Sequence, residues 1–219
     1  MKKEYLLFDL DGTLTDSRPG IFQSIRHALE YYDMTAEDAQ LQPFLGPPLV
    51  DSFMKCFGFT KERAEECVVH YREYYRPKGM FENEVYPGVP EGLKRLQDAG
   101  CKLMLATSKP ELFARQILDH FDLTKYFTII AGASMDEKRN TKADVLRYLL
   151  AQIPDVEQAR EREAVWMIGD RCYDVLGAAE LGLPCIGVRY GYAAPGELEE
   201  AGAKAIAESV EEMVELCLH

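Results

Sequence analysis

The sequence has a deficit of positive charge, no paired cysteine motif and no long hydrophobic run. Among its 219 residues, 25 lysines and arginines face 37 aspartates and glutamates, a net charge of −12. So acidic a chain repels polyphosphate backbones, which argues against a nucleic-acid partner. No run of about 18 apolar residues could span a membrane, and the apolar stretch before Asp9 is too short for a signal peptide. The six cysteines show no CxxC pair and no zinc-like spacing, as in a reducing compartment. We therefore expect a soluble, cytoplasmic protein without a membrane partner.

Short apolar runs alternate with helical patterns along most of the chain. Hydrophobic residues make up 47% of the sequence, enough for a substantial core. The apolar runs are residues 5–8, 102–106, 127–131, 164–168 and 185–188. Runs that are apolar on both faces are typical of parallel strands covered by helices on both sides. Pro90 and Pro110 mark helix starts, Gly100 and Gly182 mark helix ends, and a capping box at Ser209 begins the last helix. The pattern predicts an α/β fold with a doubly wound parallel sheet.

A long helical segment separates the first two predicted strands. Residues 16–85 show helical periodicity and no convincing strand, with a proline- and glycine-containing loop near residues 43–48. About seventy helical residues are too many for a simple crossover between strands. We expect an inserted all-helical domain at residues 16–85, and a core formed by residues 1–15 and 86–219.

Two aspartates end the first predicted strand, in Asp9-Leu10-Asp11-Gly12-Thr13. In extended chain, residues i and i+2 point the same way, and ligands bind at the carboxyl ends of strands in open α/β sheets. Two adjacent carboxylates repel, so one is protonated or a cation lies between them. Gly12 permits a sharp turn and is expected to leave backbone N–H groups accessible. The simpler alternative is a polar turn that ends a strand.

A third and a fourth carboxylate follow the apolar run 164–168. They are Asp170 and Asp174 in Gly169-Asp170-Arg171-Cys172-Tyr173-Asp174. Hard oxygen ligands in this number suit Mg²⁺, which keeps several waters and combines carboxylates with substrate phosphate. Either aspartate alone could instead cap a helix, but capping does not explain both together with the first pair.

Two hydroxyls follow the run 102–106, in Thr107-Ser108-Lys109-Pro110. A hydroxyl and free amides at the start of a helix can bind an anion. The alternative is that Thr107 or Ser108 is an ordinary cap before Pro110.

One lysine occupies an unusual position in its helix. Lys142 falls in the first turn of a helix predicted over 142–153, with Thr141 as the cap. A cation there opposes the helix dipole at a cost of about 0.3–1 kcal/mol. A residue placed against local preference indicates a functional demand, although Lys138 or Arg139 could serve in its place.

In chain order, these four segments resemble the motifs of the haloacid dehalogenase superfamily of phosphatases: first Asp9–Thr13, second Thr107–Pro110, third Lys142 and fourth Gly169–Asp174. The resemblance covers essentially the whole chain. The helical insertion resembles the cap of the phosphoglycolate phosphatase-like branch, in which some members are 5′-nucleotidases, and residues 186–192 are similar to that branch as well. The resemblance implies a Rossmann-like core with a helical cap. It also implies Mg²⁺-dependent hydrolysis of a small phosphorylated metabolite through an aspartyl phosphate.

The resemblance assigns roles to the reacting groups. It implies that Asp9 is the nucleophile and that Asp11 is the general acid and then the general base. It further implies that Thr107 and the Ser108 amide hold the transferring phosphoryl oxygens, and that Lys142 neutralises Asp9 and the phosphate. Many relatives have Lys-Pro-x-Pro at the third motif, whereas this chain has Lys-Ala-Asp.

The resemblance also implies a metal site. Mg²⁺ is expected on the carboxylates of Asp9 and Asp170 and on the main-chain carbonyl of Asp11, with Asp174 supporting the metal or the lysine. Gly12 is expected to contribute to substrate binding.

Substrate specificity is expected to lie in the helical insertion. Arg18 and the loop at residues 45–48 are the candidates, with a plain inter-helix turn and a solvated arginine as the alternative. Two other functions share parts of the pattern. A phosphosugar mutase resembling β-phosphoglucomutase has all four motifs, and a receiver-like signalling module uses clustered aspartates, a hydroxyl and a lysine. A haloacid dehalogenase is disfavoured because Asp11 is present.

Overall fold

Parallel strands dominate the computed structural model, which describes residues 3–136 and 138–219. In chain order the strands are β1 (Tyr5–Phe8), β2 (Thr15–Asp16), β3 (Glu84–Val85), β4 (Lys102–Pro110), β5 (Ile129–Ala133), β6 (Val165–Gly169), β7 (Cys185–Val188) and β8 (Ala205–Ala207). The main sheet has the order β5-β4-β1-β6-β7-β8 and is parallel throughout. Strands β2 and β3 form a separate pair. The predicted parallel α/β fold is confirmed.

Helices connect the strands and also fill the segment between β2 and β3. They are α1 (Arg18–Glu30), α2 (Asp38–Leu41), α3 (Leu49–Phe57), α4 (Lys61–Tyr75), α5 (Val89–Asp98), α6 (Glu111–His120), α7 (Lys142–Leu150), α8 (Val156–Glu161), α9 (Cys172–Glu180), α10 (Glu197–Glu200) and α11 (Val210–Leu218). Short 3₁₀ turns occur at Gln42–Phe44, Gly79–Phe81 and Thr124–Tyr126. Within the described part of the chain, no helix is long and apolar enough to cross a membrane.

The chain divides into two units. One contains the described residues of Met1–Asp16 and Val85–His219 and holds the six-stranded sheet; the other is Ser17–Glu84 and contains α1 to α4. The helical unit has a core of its own, in which aromatic rings pack together. The ring centroids of Phe44 and Phe53 are 4.9 Å apart, and those of Phe53 and Phe59 are 6.3 Å apart.

Strand β1 lies at the centre of the main sheet and is buried along its whole length. Phe8, its last residue, pairs with Leu105 of β4 on one side and with Ile168 of β6 on the other. The chain adds β4 and β5 on one side of β1 and β6 to β8 on the other, so the strand order reverses beside β1. In open parallel sheets, this reversal creates a crevice outside the carboxyl ends of the strands.

Two predicted helix caps are confirmed. The Thr141 hydroxyl accepts a hydrogen bond from the Asp144 N–H at 3.1 Å, and the Ser209 hydroxyl accepts one from the Glu212 N–H at 3.2 Å. Each bond satisfies a backbone donor that the first turn of a helix leaves without a partner.

Several predicted boundaries are wrong. Pro110 is the last residue of β4 and precedes α6 rather than lying in its first turn. Helix α7 ends at Leu150, short of residue 153, because Pro154 disfavours helical geometry at the residue before it. Strand β5 begins at Ile129, two residues after the start of the predicted run 127–131. Phe127 instead caps the end of the 3₁₀ turn Thr124–Tyr126. The short strands β2, β3 and β8 were not predicted, because two or three residues carry no usable periodicity.

Candidate active site

The carboxyl edge of the sheet brings the predicted site residues of the first unit together. Asp9 directly follows β1, Thr107 lies within β4, and Asp170 directly follows β6. Thr107 and Asp170 are buried, as is Lys142 at the start of α7. The register of β1 with both neighbouring strands makes these strand ends adjacent.

Lys142 is the cation at the centre of this group. Its Nζ lies 3.0 Å from Asp9 Oδ1 and 2.7 Å from Asp174 Oδ1, and it donates a hydrogen bond to the Ala106 carbonyl at 2.8 Å. Burial disfavours the charged form, but the carboxylates of Asp174 and Asp9 outweigh it and raise the pKa of Lys142. The side chain is therefore an ammonium ion that bridges two carboxylates.

The two alternative cations of the third motif lie elsewhere. Lys138 pairs with Asp136 at 3.4 Å. Arg139 donates to the Gly132 carbonyl at 2.7 Å and pairs with Glu111 at 2.9 Å. Only Lys142, of these three, contacts Asp9 among the described ion pairs.

Three carboxylates form a buried acidic group beside Lys142. Asp9, Asp170 and Asp174 each offer an oxygen within 4.8 Å of the others. Asp170 accepts hydrogen bonds from the Thr13 hydroxyl at 3.2 Å and from the Tyr192 N–H at 2.8 Å. These two bonds fix the orientation of the Asp170 carboxylate.

Asp174 has the capping role that the sequence left open, and an electrostatic one as well. Its Oδ2 accepts a hydrogen bond from the Arg171 N–H at 3.1 Å, so this backbone donor at the start of α9 has a partner. Its Oδ1 faces Lys142. Burial raises the pKa of Asp174 to about 6, with Lys142 opposing and Asp9 adding to the rise. Burial, and then the charges of Asp174 and Asp9, raise the pKa of Asp170 well above its usual range.

This group of residues fits a divalent cation. If all three carboxyl groups are ionised, one lysine leaves two negative charges uncompensated in a buried space. The repulsion between these carboxylates contributes to the raised pKa values of Asp170 and Asp174. A bound cation would lower both pKa values again. Carboxylate oxygens are the ligands that Mg²⁺ prefers, and no histidine or cysteine belongs to the group.

The carboxylate of Asp11 does not belong to this acidic group. Its Oδ2 lies 2.6 Å from Nζ of Lys109, whose side chain is 7% exposed. The Lys109 N–H donates to the Thr107 hydroxyl at 3.2 Å. Asp11 Oδ1 is buried and has no hydrogen-bond partner among the described residues. The predicted metal contact of Asp11 concerns its main-chain carbonyl and stays a prediction.

The role of Lys109 was not predicted from the sequence, although this residue lies in the Thr107–Pro110 segment. Lysine is common on protein surfaces, and this one contacts Asp11 from a stretch of β4 whose register is irregular between Thr107 and Pro110. Ser108 is half-buried in the same irregular stretch, and its predicted contact with phosphate stays a prediction.

Gly12 shapes the turn after β1. Its N–H donates to the Thr15 carbonyl at 2.8 Å, and its expected contribution to substrate binding stays a prediction. Its φ of +79° favours glycine, and a Cβ at Gly12 would lie 2.1 Å from Asp170 Oδ2. Gly12 therefore allows the turn after β1 to approach the Asp170 carboxylate.

Two further glycines give the carboxylates room. A Cβ at Gly191 would lie 2.3 Å from Cβ of Asp170, and a Cβ at Gly169 would lie 2.2 Å from Cγ of Asp174. Neither role could be predicted from the sequence, because a lone glycine does not reveal which atoms approach it.

A tyrosine segment after β7 supports the turn after β1. The Tyr190 hydroxyl donates to the Thr13 carbonyl at 3.0 Å, and the Tyr192 hydroxyl donates to Asp16 Oδ1 at 3.0 Å. Since the Tyr192 N–H also binds Asp170, this segment ties the first and last motifs together.

The remaining specificity candidates lie in the helical unit. Arg18 is the first residue of α1. Leu45 is buried, with 1% of its surface exposed. The specificity roles of Arg18 and of residues 45–48 stay predictions.

A parallel α/β sheet with a carboxylate–lysine site at its carboxyl edge is typical of phosphoryl-transfer enzymes. A family model of haloacid dehalogenase-like hydrolases matches residues 6–188 of the chain. The chain belongs to this family.

Its relatives include both phosphatases and a kinase. A 5′-nucleotidase of Pseudomonas aeruginosa is 45% identical over 194 residues, 88% of this chain and 86% of the relative. The tyrosine-protein kinase PtkA of Mycobacterium tuberculosis is 41% identical over 190 residues, 86% of this chain but 63% of the kinase. A phosphoglycolate phosphatase of Vibrio parahaemolyticus is 26% identical over 220 residues, 96% of this chain and 94% of the relative.

A solved structure agrees over the whole length. The crystal structure of a "predicted phosphatase" from Clostridium acetobutylicum has a TM-score of 0.90 and 44% sequence identity, and covers 100% of this chain and 99% of that one. Together with the family match, these likenesses identify the protein as a phosphatase similar to phosphoglycolate phosphatases and 5′-nucleotidases.

Proposed function

We propose that this phosphatase hydrolyses phosphate monoesters of small metabolites in two steps, through phosphorylation of Asp9, with Mg²⁺ as the cofactor. The observation that supports this most is the ion pair of Asp9 with Lys142 at the carboxyl end of the central strand. Lys142 holds the Asp9 carboxylate in place, and its positive charge can also neutralise a phosphate that binds beside Asp9.

In the first step, an oxygen of Asp9 attacks phosphorus while the bond from phosphorus to the ester oxygen breaks. Asp11, in its protonated form, donates its proton to the departing alkoxide, which leaves as an alcohol. Lys142 offsets the repulsion between Asp9 and the phosphate dianion. Thr107 and the Ser108 N–H donate hydrogen bonds to the phosphoryl oxygens. Fixed donors act where charge develops and need no reorganisation during the reaction.

In the second step, water attacks phosphorus and the bond to the Asp9 oxygen breaks. Asp11, now a carboxylate, takes the proton from that water and returns to its starting state. Inorganic phosphate leaves and Asp9 is restored. Splitting a very slow hydrolysis into two displacements lowers each barrier.

The proposed Mg²⁺ would be held by the carboxylates of Asp9 and Asp170 and by the Asp11 main-chain carbonyl, with Asp174 in support. When bound, it supplies positive charge against the phosphoryl oxygens and the acidic group. The two uncompensated negative charges of that group support this assignment.

Metal dependence has a direct test. Phosphate release from p-nitrophenyl phosphate should stop in EDTA and return with Mg²⁺. Ca²⁺ should inhibit, since its larger and more flexible coordination shell disturbs the in-line geometry. Full activity in the chelator contradicts the proposal.

We propose nucleoside 5′-monophosphates as the preferred substrates. The 45% identity with a 5′-nucleotidase, against 26% with a phosphoglycolate phosphatase, supports this choice. A screen of about a hundred phosphate monoesters, scored by released phosphate, tests it. Preference for phosphoglycolate or a sugar phosphate contradicts it, and isomerised sugar phosphate in place of free phosphate indicates a mutase.

We propose that the unit containing the sheet is the catalytic core and that Ser17–Glu84 is a specificity cap. Arg18→Ala should then raise KM for the best natural substrate by about tenfold and change p-nitrophenyl phosphate hydrolysis much less. Lys61→Ala, at an exposed lysine of α4, is the control. Equal losses on both substrates indicate that Arg18 only supports the fold.

Phosphotransfer to protein tyrosine is a second candidate, favoured by the 41% identity with PtkA. Incubation with labelled ATP and a tyrosine-containing peptide distinguishes the two. Label on peptide tyrosine supports a kinase, whereas an unlabelled peptide, under conditions in which the protein hydrolyses p-nitrophenyl phosphate, supports the phosphatase.

We further propose a cytoplasmic location. None of the six cysteines forms a disulfide bond, and four of them, Cys67, Cys101, Cys185 and Cys217, are buried. Cysteines outside disulfide bonds are typical of reducing compartments. Cell fractionation with an antibody against the chain tests the location.

A further inference from the structure

Glu197 is a half-buried carboxylate that joins two segments beside the acidic group. It is the first residue of α10, and its side chain is 14% exposed. Its Oε1 lies 2.8 Å from Arg171 Nε and accepts a hydrogen bond from the Cys172 N–H at 2.9 Å. Its Oε2 accepts a hydrogen bond from the Ala194 N–H at 3.0 Å. One side chain therefore ties the turn between β6 and α9 to the segment that follows β7.

The turn between β6 and α9 contains Asp170 and orients Asp174. Arg171 directly follows Asp170, and its N–H donates to Asp174 Oδ2 at 3.1 Å. The next N–H along the chain, that of Cys172, donates to Glu197. The first backbone donors of a helix have no partner within the helix, so each needs an acceptor from elsewhere. Because Glu197 accepts from Cys172, Asp174 does not have to accept from this donor as well, and its Oδ1 remains on the site lysine.

The segment after β7 orients Asp170 through its backbone. The Tyr192 N–H donates to Asp170 Oδ2 at 2.8 Å, and Ala194 lies two residues further along the chain. Ala194 is bound twice by Glu197: its N–H donates to the Glu197 side chain at 3.0 Å, and its carbonyl accepts from the Glu197 N–H at 3.0 Å. These two bonds close a turn that limits how far the Tyr192 amide can move. Glu197 therefore supports the backbone donors of both Asp170 and Asp174.

The ion pair of Glu197 with Arg171 holds a guanidinium group whose residue is next to Asp170 in the chain. The two side chains are 14% and 17% exposed, so water screens their attraction less than it screens an exposed pair. Burial raises the pKa of Glu197, but the hydrogen bonds from Arg171 and from two backbone amides outweigh it and lower this pKa to about 2. Glu197 is therefore a carboxylate at neutral pH. Without it, the Arg171 cation would lose this partner and could pair with the acidic group, in competition with a divalent cation.

We propose that Glu197 is a positioning residue for the acidic group and keeps Asp170 and Asp174 arranged to bind a divalent cation. The proposal rests on the proposed Mg²⁺ site and adds to it a residue outside the three carboxylates that could hold the metal. Glu197 acts on two of these carboxylates through their hydrogen-bond donors and through Arg171. Metal binding in the absence of substrate is therefore the direct readout.

Isothermal titration calorimetry of the full chain with Mg²⁺, in the absence of substrate, tests the proposal. Glu197→Ala should bind Mg²⁺ at least about tenfold more weakly than the wild type, since groups that orient metal ligands affect affinity by this amount. Glu197→Gln keeps the length and one acceptor oxygen but loses the charge, so its affinity should also fall, but by less. Glu200→Ala is the matched control, because it removes a carboxylate from an exposed position in the same helix. It should bind Mg²⁺ like the wild type.

A second measurement separates positioning from support of the fold. Urea unfolding of the wild type and of Glu197→Ala is followed in EDTA and at one fixed Mg²⁺ concentration. A ligand that binds only the folded protein stabilises it according to its affinity. The stability gained on adding Mg²⁺ should therefore be smaller in Glu197→Ala, whatever the variant loses in EDTA. A residue that only supports the fold would lower the stability in EDTA and leave the gain from Mg²⁺ unchanged.

Two results overturn the proposal in different ways. Equal Mg²⁺ affinity and an equal gain in stability in the wild type and Glu197→Ala contradict the role of Glu197 and leave the proposed cofactor intact. If circular dichroism shows that Glu197→Ala does not fold, equal affinity in the wild type and Glu197→Gln has the same meaning. A wild type that binds no Mg²⁺ contradicts the proposed cofactor and this proposal with it.

Discussion

Replacing Lys142 by methionine removes the one lysine that compensates the acidic group. Methionine keeps most of the unbranched side chain, so the packing of the stem is largely preserved. The change deletes the contacts with Asp9 at 3.0 Å and Asp174 at 2.7 Å and leaves the Ala106 carbonyl without its lysine donor. Two buried carboxylates then face each other with no cation between them.

The expected cost is large because the site is buried. Lys142 is 5% exposed, and removing one partner of a buried ion pair costs about 3–5 kcal/mol. That is a sizeable part of the roughly 5–15 kcal/mol by which domains are stable. The cost should shrink below pH 6. Burial already raises the pKa of Asp174 to about 6, and a protonated carboxyl group no longer needs the lysine.

Urea unfolding in EDTA, followed by tryptophan fluorescence, measures this cost. The single tryptophan, Trp166, lies in β6 of the same unit and reports on its unfolding. Lys94→Met is the control, because Lys94 forms an exposed pair with Asp98 that is worth at most about 0.5 kcal/mol. A loss in Lys142→Met no larger than in the control, or one equal at pH 5 and pH 8, would refute this reasoning.

Three further predictions follow from the same site. Burial raises the pKa of Asp174 to about 6 and raises that of Asp170 well above its usual range. The metal-free folded protein therefore binds more protons than the unfolded chain above about pH 4. Its stability should fall as the pH rises above that value. In EDTA, Tm should be lower at pH 8 than at pH 5. Asp174 alone contributes about 1.4 kcal/mol to this difference, because pH 5 lies one unit below its pKa, and Mg²⁺ should reduce the difference. Lys109→Met should lower kcat at least about tenfold with little change in KM, because Asp11 loses the ammonium group 2.6 Å away, and Lys109→Arg should retain more activity. Gly177→Ala should lower kcat, because its Cβ would lie 2.8 Å from the stem of the site lysine.

Each of these predictions has a control or a contradicting result. Gly92→Ala creates a similar overlap, 2.7 Å from Val214, away from the site; it should cost stability without changing kcat. Equal kcat in Gly92→Ala and Gly177→Ala contradicts the positioning role. Equal activity of the methionine and arginine variants of Lys109 indicates that its charge is not used. A metal-free Tm that rises from pH 5 to pH 8 reverses the assigned sign.

The sheet could be predicted from the sequence because its strands are buried on both faces. The run 5–8 contains only Tyr, Leu and Phe, and it forms a strand as expected. Strand β8 could not be found, since Ala205–Ala207 has only three small or apolar residues and is defined by its pairing with β7. Pairing of this kind is a tertiary property that local pattern does not contain.

The candidate site was predictable where residue type alone indicates chemistry. Asp9, Asp170, Asp174 and Lys142 have few reasons to be buried together except to balance one another. Lys109 could not be assigned, because its role depends on an irregular strand end.

The roles of two neighbouring glycines and of one backbone amide could not be predicted from the sequence either. Gly191 and Gly169 matter through what approaches them, and the Tyr192 amide acts independently of its side chain. Such contributions follow from three-dimensional proximity rather than from residue type.

Trapping the phosphorylated enzyme tests the central claim most directly. Asp11→Asn removes the group proposed to activate water, so a substrate with a good leaving group, such as p-nitrophenyl phosphate, should phosphorylate the variant faster than it is hydrolysed. Peptide mass spectrometry after rapid acid quench should place one added phosphoryl group on Asp9, and Asp9→Asn should show none. A phosphoryl group on any other residue, or none in Asp11→Asn while turnover continues, would contradict the proposed role of Asp9.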